Sequence, residues 1–255
     1  MHLSIVTGAS KGLGAAMAEG LLQKGHIVHA VSRTKSDISH DRLIQHEADL
    51  AQLAETEKWF RQFSDSVQAH DFASITLINN AGMVTPIKRA GEAEPEELRL
   101  HYDLNLLAPV MLSQLFTKWL KPYKGKKSIV NISSGAAKNP YKGWSAYCSS
   151  KAGLDMFTKT FGFEQEDESD PVKMISFSPG IMDTGMQEVI RSSSKKDFHE
   201  IERFKTYQTE GKLRSTSYVA GILLDLLETD FENGRVYDIK EFFYLSILNM
   251  MCQIN

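Results

Sequence analysis

Short apolar runs alternate with longer mixed stretches along the 255-residue chain. The runs at 3–7, 27–31, 75–79, 128–132, 173–178 and 236–239 have the length of strands. Between them, 14–23, 53–63, 95–120, 147–165 and 216–227 are long enough for helices. Runs such as Ser4-Ile5-Val6-Thr7-Gly8 and Thr76-Leu77-Ile78-Asn79-Asn80 are nearly continuous rather than alternating in polarity. Strands buried on both faces of a parallel sheet read in this way. The pattern predicts an α/β fold: a single-domain, doubly wound parallel sheet of Rossmann type with helices on both faces. No repeat and no low-complexity linker interrupts it, so residues 1–255 read as one domain.

The stretch at about 182–214 breaks the alternation. It carries few strand signals and contains Ser192-Ser193-Ser194-Lys195-Lys196. An insertion of this length predicts a substrate lid or a mobile loop. The acidic run 164–168 and the basic run 118–127 read as solvated helix ends.

Composition narrows the function classes. Hydrophobic residues make up 42% and charged residues 24%, and 29 Lys+Arg nearly balance 32 Asp+Glu. This balance gives no pull toward nucleic acid or an anionic membrane. Cys148 and Cys252 are too few for a disulfide framework, and eight His residues show no metal-ligand spacing. The N-terminus lacks the pattern of a secretory signal. The apolar tail 242–251 is about half of the roughly 20 residues a spanning helix needs, and reads as a buried or interface segment. These features predict a soluble, cytoplasmic protein without a metal, acting on a small molecule.

Candidate chemistry begins directly after the first strand, at Thr7-Gly8-Ala9-Ser10-Lys11-Gly12-Leu13-Gly14. A glycine-rich turn between strand and helix brings backbone N–H groups close to phosphate oxygens, and the helix N-terminus favours negative charge. The second strand ends Ser32-Arg33-Thr34, without the acid that grips the ribose 2′-OH of NAD. Arg33 and Lys11 suit a 2′-phosphate, and so favour NADPH/NADP+; as solvated surface cations they would carry no such meaning. Asp49-Leu50 either brackets the adenine or places an N-cap on the next helix. Asn79-Asn80-Ala81-Gly82 lies at a strand's C-terminal end, where ligands bind in such sheets.

Tyr147 and Lys151 lie four apart and share a helix face, thirteen residues after Ser134. A tyrosine with a pKa near ~10 needs help to act near neutrality, and an ammonium beside it lowers that value. Ser134 can hold a carbonyl oxygen. Ser133 is the rival serine, and spacing favours Ser134. Cys148 abuts Tyr147 but has no base partner, which argues against a nucleophilic role.

In this order the motifs resemble the short-chain dehydrogenase/reductase family over nearly the whole chain: the glycine turn, Asn79–Gly82, Asn105, Ser134, Tyr147 with Lys151, and Ser178-Pro179-Gly180-Ile181 with Thr184. The resemblance implies catalysis by Ser134, Tyr147, Lys151 and Asn105, with Asn105 kinking its helix and holding a water that links Lys151 to solvent. It implies a cofactor site of Gly8, Ser10, Lys11, Gly12, Leu13, Gly14, Ser32, Arg33, Asp49, Leu50, Asn80, Ala81 and Gly82. Asn105, Tyr147, Lys151, Pro179, Gly180, Ile181 and Thr184 would complete it around the nicotinamide. Within the family, the wording of 135–147, 84–89 and 191–198 is similar to the benzil-reductase subgroup, related to sepiapterin reductases and using NADPH.

That resemblance implies reduction of one ketone of an aromatic 1,2-diketone, with Tyr147 as proton donor. Ser134, Tyr141, Trp144, Met182 and Met186 are the candidate substrate contacts, the last four as an apolar wall or simply as core. A pteridine-type or 3-oxoacyl-type reductase and a catalytically silent NADP(H) sensor are the alternatives, the sensor disfavoured by the intact four-residue set. Relatives often pair through the helices bearing Asn105 and Tyr147, which implies a homodimer or homotetramer.

Overall fold

The computed structural model describes residues 1–242. Cys252 and the role of 243–255 lie outside the described residues, as does nearly all of the apolar tail. Seven strands form one sheet: β1 (His2–Thr7), β2 (Ile27–Ser32), β3 (Leu43–Glu47), β4 (Ser74–Asn79), β5 (Lys126–Ile132), β6 (Lys173–Ser178) and β7 (Val236–Asp238). They run in the order β3-β2-β1-β4-β5-β6-β7, and every pairing is parallel. Winding therefore reverses between β1 and β4, which opens a crevice at their C-terminal ends.

The helices are α1 (Gly12–Gln23), α2 (Leu53–Ser66), α3 (Pro95–Tyr102), α4 (Ala108–Trp119), α5 (Ser145–Glu164), α6 (Gly185–Arg191), α7 (Ile201–Thr209) and α8 (Thr216–Glu228). On one face of the sheet, Met17 and Leu21 of α1 and Val219 and Leu223 of α8 pack on Val6, Ile78 and Phe177. On the other face, Phe60 and Phe63 of α2, Leu112 and Phe116 of α4 and Phe161 of α5 pack on Ile5, Leu77 and Ile129. Period-2 alternation along each strand sends successive side chains to these two cores.

Local signals set several helix ends. Pro95 opens α3 behind a Glu94–Glu97 capping box, in which Glu97 Oε2 accepts from the Glu94 N–H at 2.9 Å. Ser215 caps α8 by accepting from the Tyr218 N–H. Asp49 does not cap α2: Gln52 stands at that position, and Asp49 Oδ1 instead accepts from the Ala51 N–H at 3.1 Å, closing a local turn.

The expected single helix at 95–120 is divided. A π-helical turn, Asp103–Leu107, joins α3 to α4 and contains Asn105. Such turns widen a helix and mark functional positions. The stretch 182–214 is not wholly irregular, because α6 and α7 lie within it, separated and flanked by turns. β3 has no counterpart among the apolar runs. Among the described residues it pairs only with β2, and its Leu-Ile-Gln-His-Glu sequence has the mixed polarity of an edge strand. No helix among the described residues is long and apolar enough to cross a membrane.

Candidate active site

The crevice is built by backbone that only glycine permits. Gly8 adopts φ +65°, and a Cβ there would lie 2.8 Å from Ala81 Cα. A Cβ on Gly14 would collide with the Gly8 carbonyl. The turn after β1 is thus pressed against the turn after β4. Thr7 and Asn80 lock the two together: Thr7 Oγ1 accepts from the N–H groups of Asn80 and Ala81, and Asn80 Nδ2 donates to the Thr7 carbonyl at 2.9 Å. Beneath them Asn79 Nδ2 donates to Asn131 Oδ1, tying β4 to β5. Thr7 is a structural participant that the site residues read from sequence did not include.

This cradle fits a dinucleotide. At Gly12, φ +61°, a Cβ would touch the Thr184 methyl at 3.6 Å, so Thr184 lies next to the turn at the α1 N-terminus, where an anion is favoured. Lys11 reaches across to α6, its Nζ 4.0 Å from where a Gly185 Cβ would be. Arg33 is exposed at the end of β2. Among the described residues neither Arg33 nor Lys11 enters a salt bridge, whereas the neighbouring Lys35 pairs with Glu47. Ser10 belongs to the same turn, Leu13 to the first residues of α1, and Ser32 Oγ donates to the Thr34 carbonyl. Leu50 is buried against the α2–α4 core. Pro179 and Gly180 follow β6, Gly180 with φ +71° and Ile181 accepting from the Arg214 N–H through its carbonyl.

The catalytic candidates converge on α5. Tyr147 and Lys151 are both buried, 7% and 5% exposed. Lys151 Nζ donates to the Ile132 carbonyl at 2.8 Å and lies 6.0 Å from the Tyr147 ring centre. Burial lowers the Lys151 ammonium to about 8, and the Asp155 carboxylate one turn on opposes this. Burial raises the Tyr147 phenol, and the Ser134 hydroxyl partly opposes that rise. Ser134 is therefore the serine at the phenol. Ser133 is 3% exposed on the preceding position, where its neighbour is Asp155.

Asn105 is fully buried in the π turn. Its Nδ2 donates to the Met83 carbonyl at 2.7 Å, and its Oδ1 accepts from the Met83 N–H at 2.8 Å. A Cβ on Gly82 would lie 3.2 Å from Asn105 Oδ1 and 3.7 Å from Lys151 Nζ, so both groups border Gly82. Small residues at 81–82 are the condition for that approach.

Beside the phenol is an aromatic cluster. Trp144 stacks on Phe198 at 4.5 Å and meets Tyr147 edge-on at 5.3 Å, with Phe204 closing the other side. Tyr141 and Met186 pack against this cluster. Met182 does not: it packs with the α1–α8 core and bridges to Arg214. Phe198 and Phe204 were not among the residues singled out, since they lie in the stretch read as irregular. Cys148 is a free thiol whose pKa burial raises, in keeping with a passive role. Among the described residues no group of three or more His, Cys, Asp or Glu could hold a metal ion.

Comparison with known proteins agrees with this geometry. The family model for short chain dehydrogenases matches residues 3–195. The benzil reductase ((S)-benzoin forming) of Bacillus subtilis is 68% identical over 95% of this chain and 100% of its own length. The sepiapterin reductase of Meriones unguiculatus is 29% identical, with 93% and 95% covered. The crystal structure of the KRED1-Pglu enzyme superposes with a TM-score of 0.81 at 26% identity, covering 93% of this chain and all of that one. Sheet order, glycine cradle and family match lead to one conclusion: the chain belongs to the short-chain dehydrogenase family and is an oxidoreductase that works with a nicotinamide cofactor.

Proposed function

We propose that this protein is an NADPH-dependent carbonyl reductase that reduces one ketone of an aromatic 1,2-diketone, converting benzil to (S)-benzoin. The observation that carries the reading is the Trp144–Phe198–Phe204 cluster against the Tyr147 phenol, an apolar wall beside a proton donor. The 68% identical relative bears that activity in its name.

When bound, the reduced nicotinamide supplies the hydride, and the remaining work falls to the protein. The Ser134 hydroxyl and the Tyr147 phenol together hold the carbonyl oxygen, which lowers the cost of the charge that develops there. Tyr147, kept protonated by burial, donates its proton to that oxygen as the C–H bond forms. The product is a hydroxyl beside an intact second ketone. Lys151, with Asn105 at its side, returns a proton toward Tyr147. Tyr141, Trp144 and Met186 contribute the apolar surface that excludes water.

Arg33 and Lys11 supply the preference for a 2′-phosphate. Replacing Arg33 with Asp is expected to weaken NADPH far more than NADH; equal losses would contradict that assignment. In the same reading the protein acts in the cytoplasm, and exposed Met156 and Phe163 on α5 are apolar positions that a homodimer or homotetramer would cover. A pteridine side-chain ketone is the second reading, favoured by the sepiapterin reductase relative.

Chiral chromatography of the product from benzil and NADPH tests the proposal. Benzoin of S configuration alone is expected. Racemic benzoin, or none while sepiapterin is consumed, would transfer the assignment to the second reading.

A further inference from the structure

One buried titratable side chain touches the catalytic groups and has no part in the chemistry above. His101 of α3 is 0% exposed. Its Nδ1 lies 2.6 Å from the Thr85 carbonyl oxygen. A carbonyl only accepts, so Nδ1 carries the hydrogen, and in the neutral ring Nε2 is then an acceptor. Nε2 faces two donors, Asn105 Nδ2 at 3.0 Å and the Ser150 hydroxyl at 3.0 Å. The single Ser150 hydrogen has a second acceptor in the Tyr147 carbonyl at 2.9 Å. Asn105 has no such choice. One Nδ2 hydrogen goes to the Met83 carbonyl, and the other needs the lone pair on His101 Nε2.

Protonation reverses the arrangement. An Nε2–H points at the Asn105 NH2 group, donor against donor, while Ser150 turns to accept. Asn105 would then keep a buried hydrogen without an acceptor, an expensive state in a site closed to water. The amide sits beside Lys151 Nζ at Gly82, so its displacement reaches the proton-transfer groups.

We propose that His101 is a positioning residue for this reductase: its neutral Nδ1–H tautomer locks the Asn105 amide against Met83, and protonation of the ring releases it. The proposal rests on the reading of Asn105, Lys151 and Tyr147 as the reducing centre. The titratable groups facing the ring are Tyr147, edge-on at 6.2 Å, and Lys151, both from α5, with Tyr102 beside it on its own helix. The segment 83–85 presents backbone. Burial is the main cause holding the imidazole below its ordinary pKa; the Lys151 charge acts in the same direction, and the Thr85 and Ala146 backbone partners oppose both.

Side-chain NMR of the isotope-labelled full chain, without added ligand, reads the lock directly. The expected spectrum shows His101 as the Nδ1–H tautomer, with Asn105 amide hydrogens that exchange slowly and lose protection as the ring protonates. Kinetics supply the second arm. His101→Phe fills the space without the acceptor and is expected to lower kcat about tenfold to a hundredfold with KM for NADPH unchanged. His101→Gln offers an acceptor that does not titrate, and is expected to recover most of kcat while flattening the acid limb of the pH profile. An Nε2–H tautomer, or an unchanged acid limb in His101→Gln, would overturn the proposal. Should the wild type leave benzil untouched, the functional reading fails, and the NMR arm still decides the role of His101.

Discussion

In the proposed mechanism Tyr147 gives up a proton, and burial makes that harder. Tyr147 is raised by desolvation and relieved by Ser134, so near neutrality it is held in the protonated form that a donor to a carbonyl needs. Lys151 carries the opposite burden: burial brings its ammonium to about 8, within reach of ordinary assay conditions. The charged form is present below that value and lost above it, so reduction is expected to decline as pH rises through about 8. Asp155, buried one turn further along α5, holds the ammonium up. Asp155→Asn is therefore expected to move the alkaline limb of the kcat profile to lower pH, and an unmoved limb would show that another group sets it. Most of these residues were readable as residues. Their electrostatics were not, because Y-x-x-x-K spacing states which groups share a helix face and says nothing of the Ile132 carbonyl that accepts from Lys151 Nζ.

At the scale of elements, the proposed substrate side is the cluster in which residues of α6 and α7 pack with Trp144 and Tyr147. Phe198 between them is fully buried and stacked on Trp144. Phe198→Ala is expected to cost about 3–5 kcal/mol of stability, seen as a lowered Tm, and to raise KM for benzil more than KM for NADPH. Equal effects on both would separate the cluster from substrate binding. Sequence reading missed these helices because α6 has seven residues and α7 nine, too short for a convincing 3.6-residue period amid Ser192–Ser194. It missed β3 for a related reason: a strand with one neighbour needs no continuous apolar run. The π turn was legible only as an implied kink at Asn105, since nothing in Asp103–Leu107 itself forbids an α-helix.

For the whole molecule, the alternation of apolar runs and helical stretches sufficed to predict the sheet, its parallel sense and its doubly wound faces, because both cores demand it. What lay beyond reach were contacts between distant segments, such as Met182 joining the α1–α8 core. Two histidines show the same kind of long-range effect on stability. His26 and His29 are lowered from 6.5 to about 4, chiefly by burial. Their folded pKa lies below the unfolded one, so the unfolded chain binds more protons in that interval and stability rises with pH across it. The Tm is expected to fall on acidification from 6.5 toward 4, and His29→Gln to soften the fall; a flat Tm over this range would contradict the neutral assignment of His29, buried, and His26, half-buried.

The central claim is that this fold moves a hydride from NADPH to an aromatic diketone with Tyr147 as the acid. The most direct test follows the absorbance of the reduced nicotinamide with benzil, using NADPH and NADH in parallel, for the wild type and Tyr147→Phe. The account predicts rapid loss with NADPH, little with NADH, and none in Tyr147→Phe despite retained NADPH binding. Undiminished turnover by Tyr147→Phe, or no turnover by a wild type that binds NADPH, would contradict it.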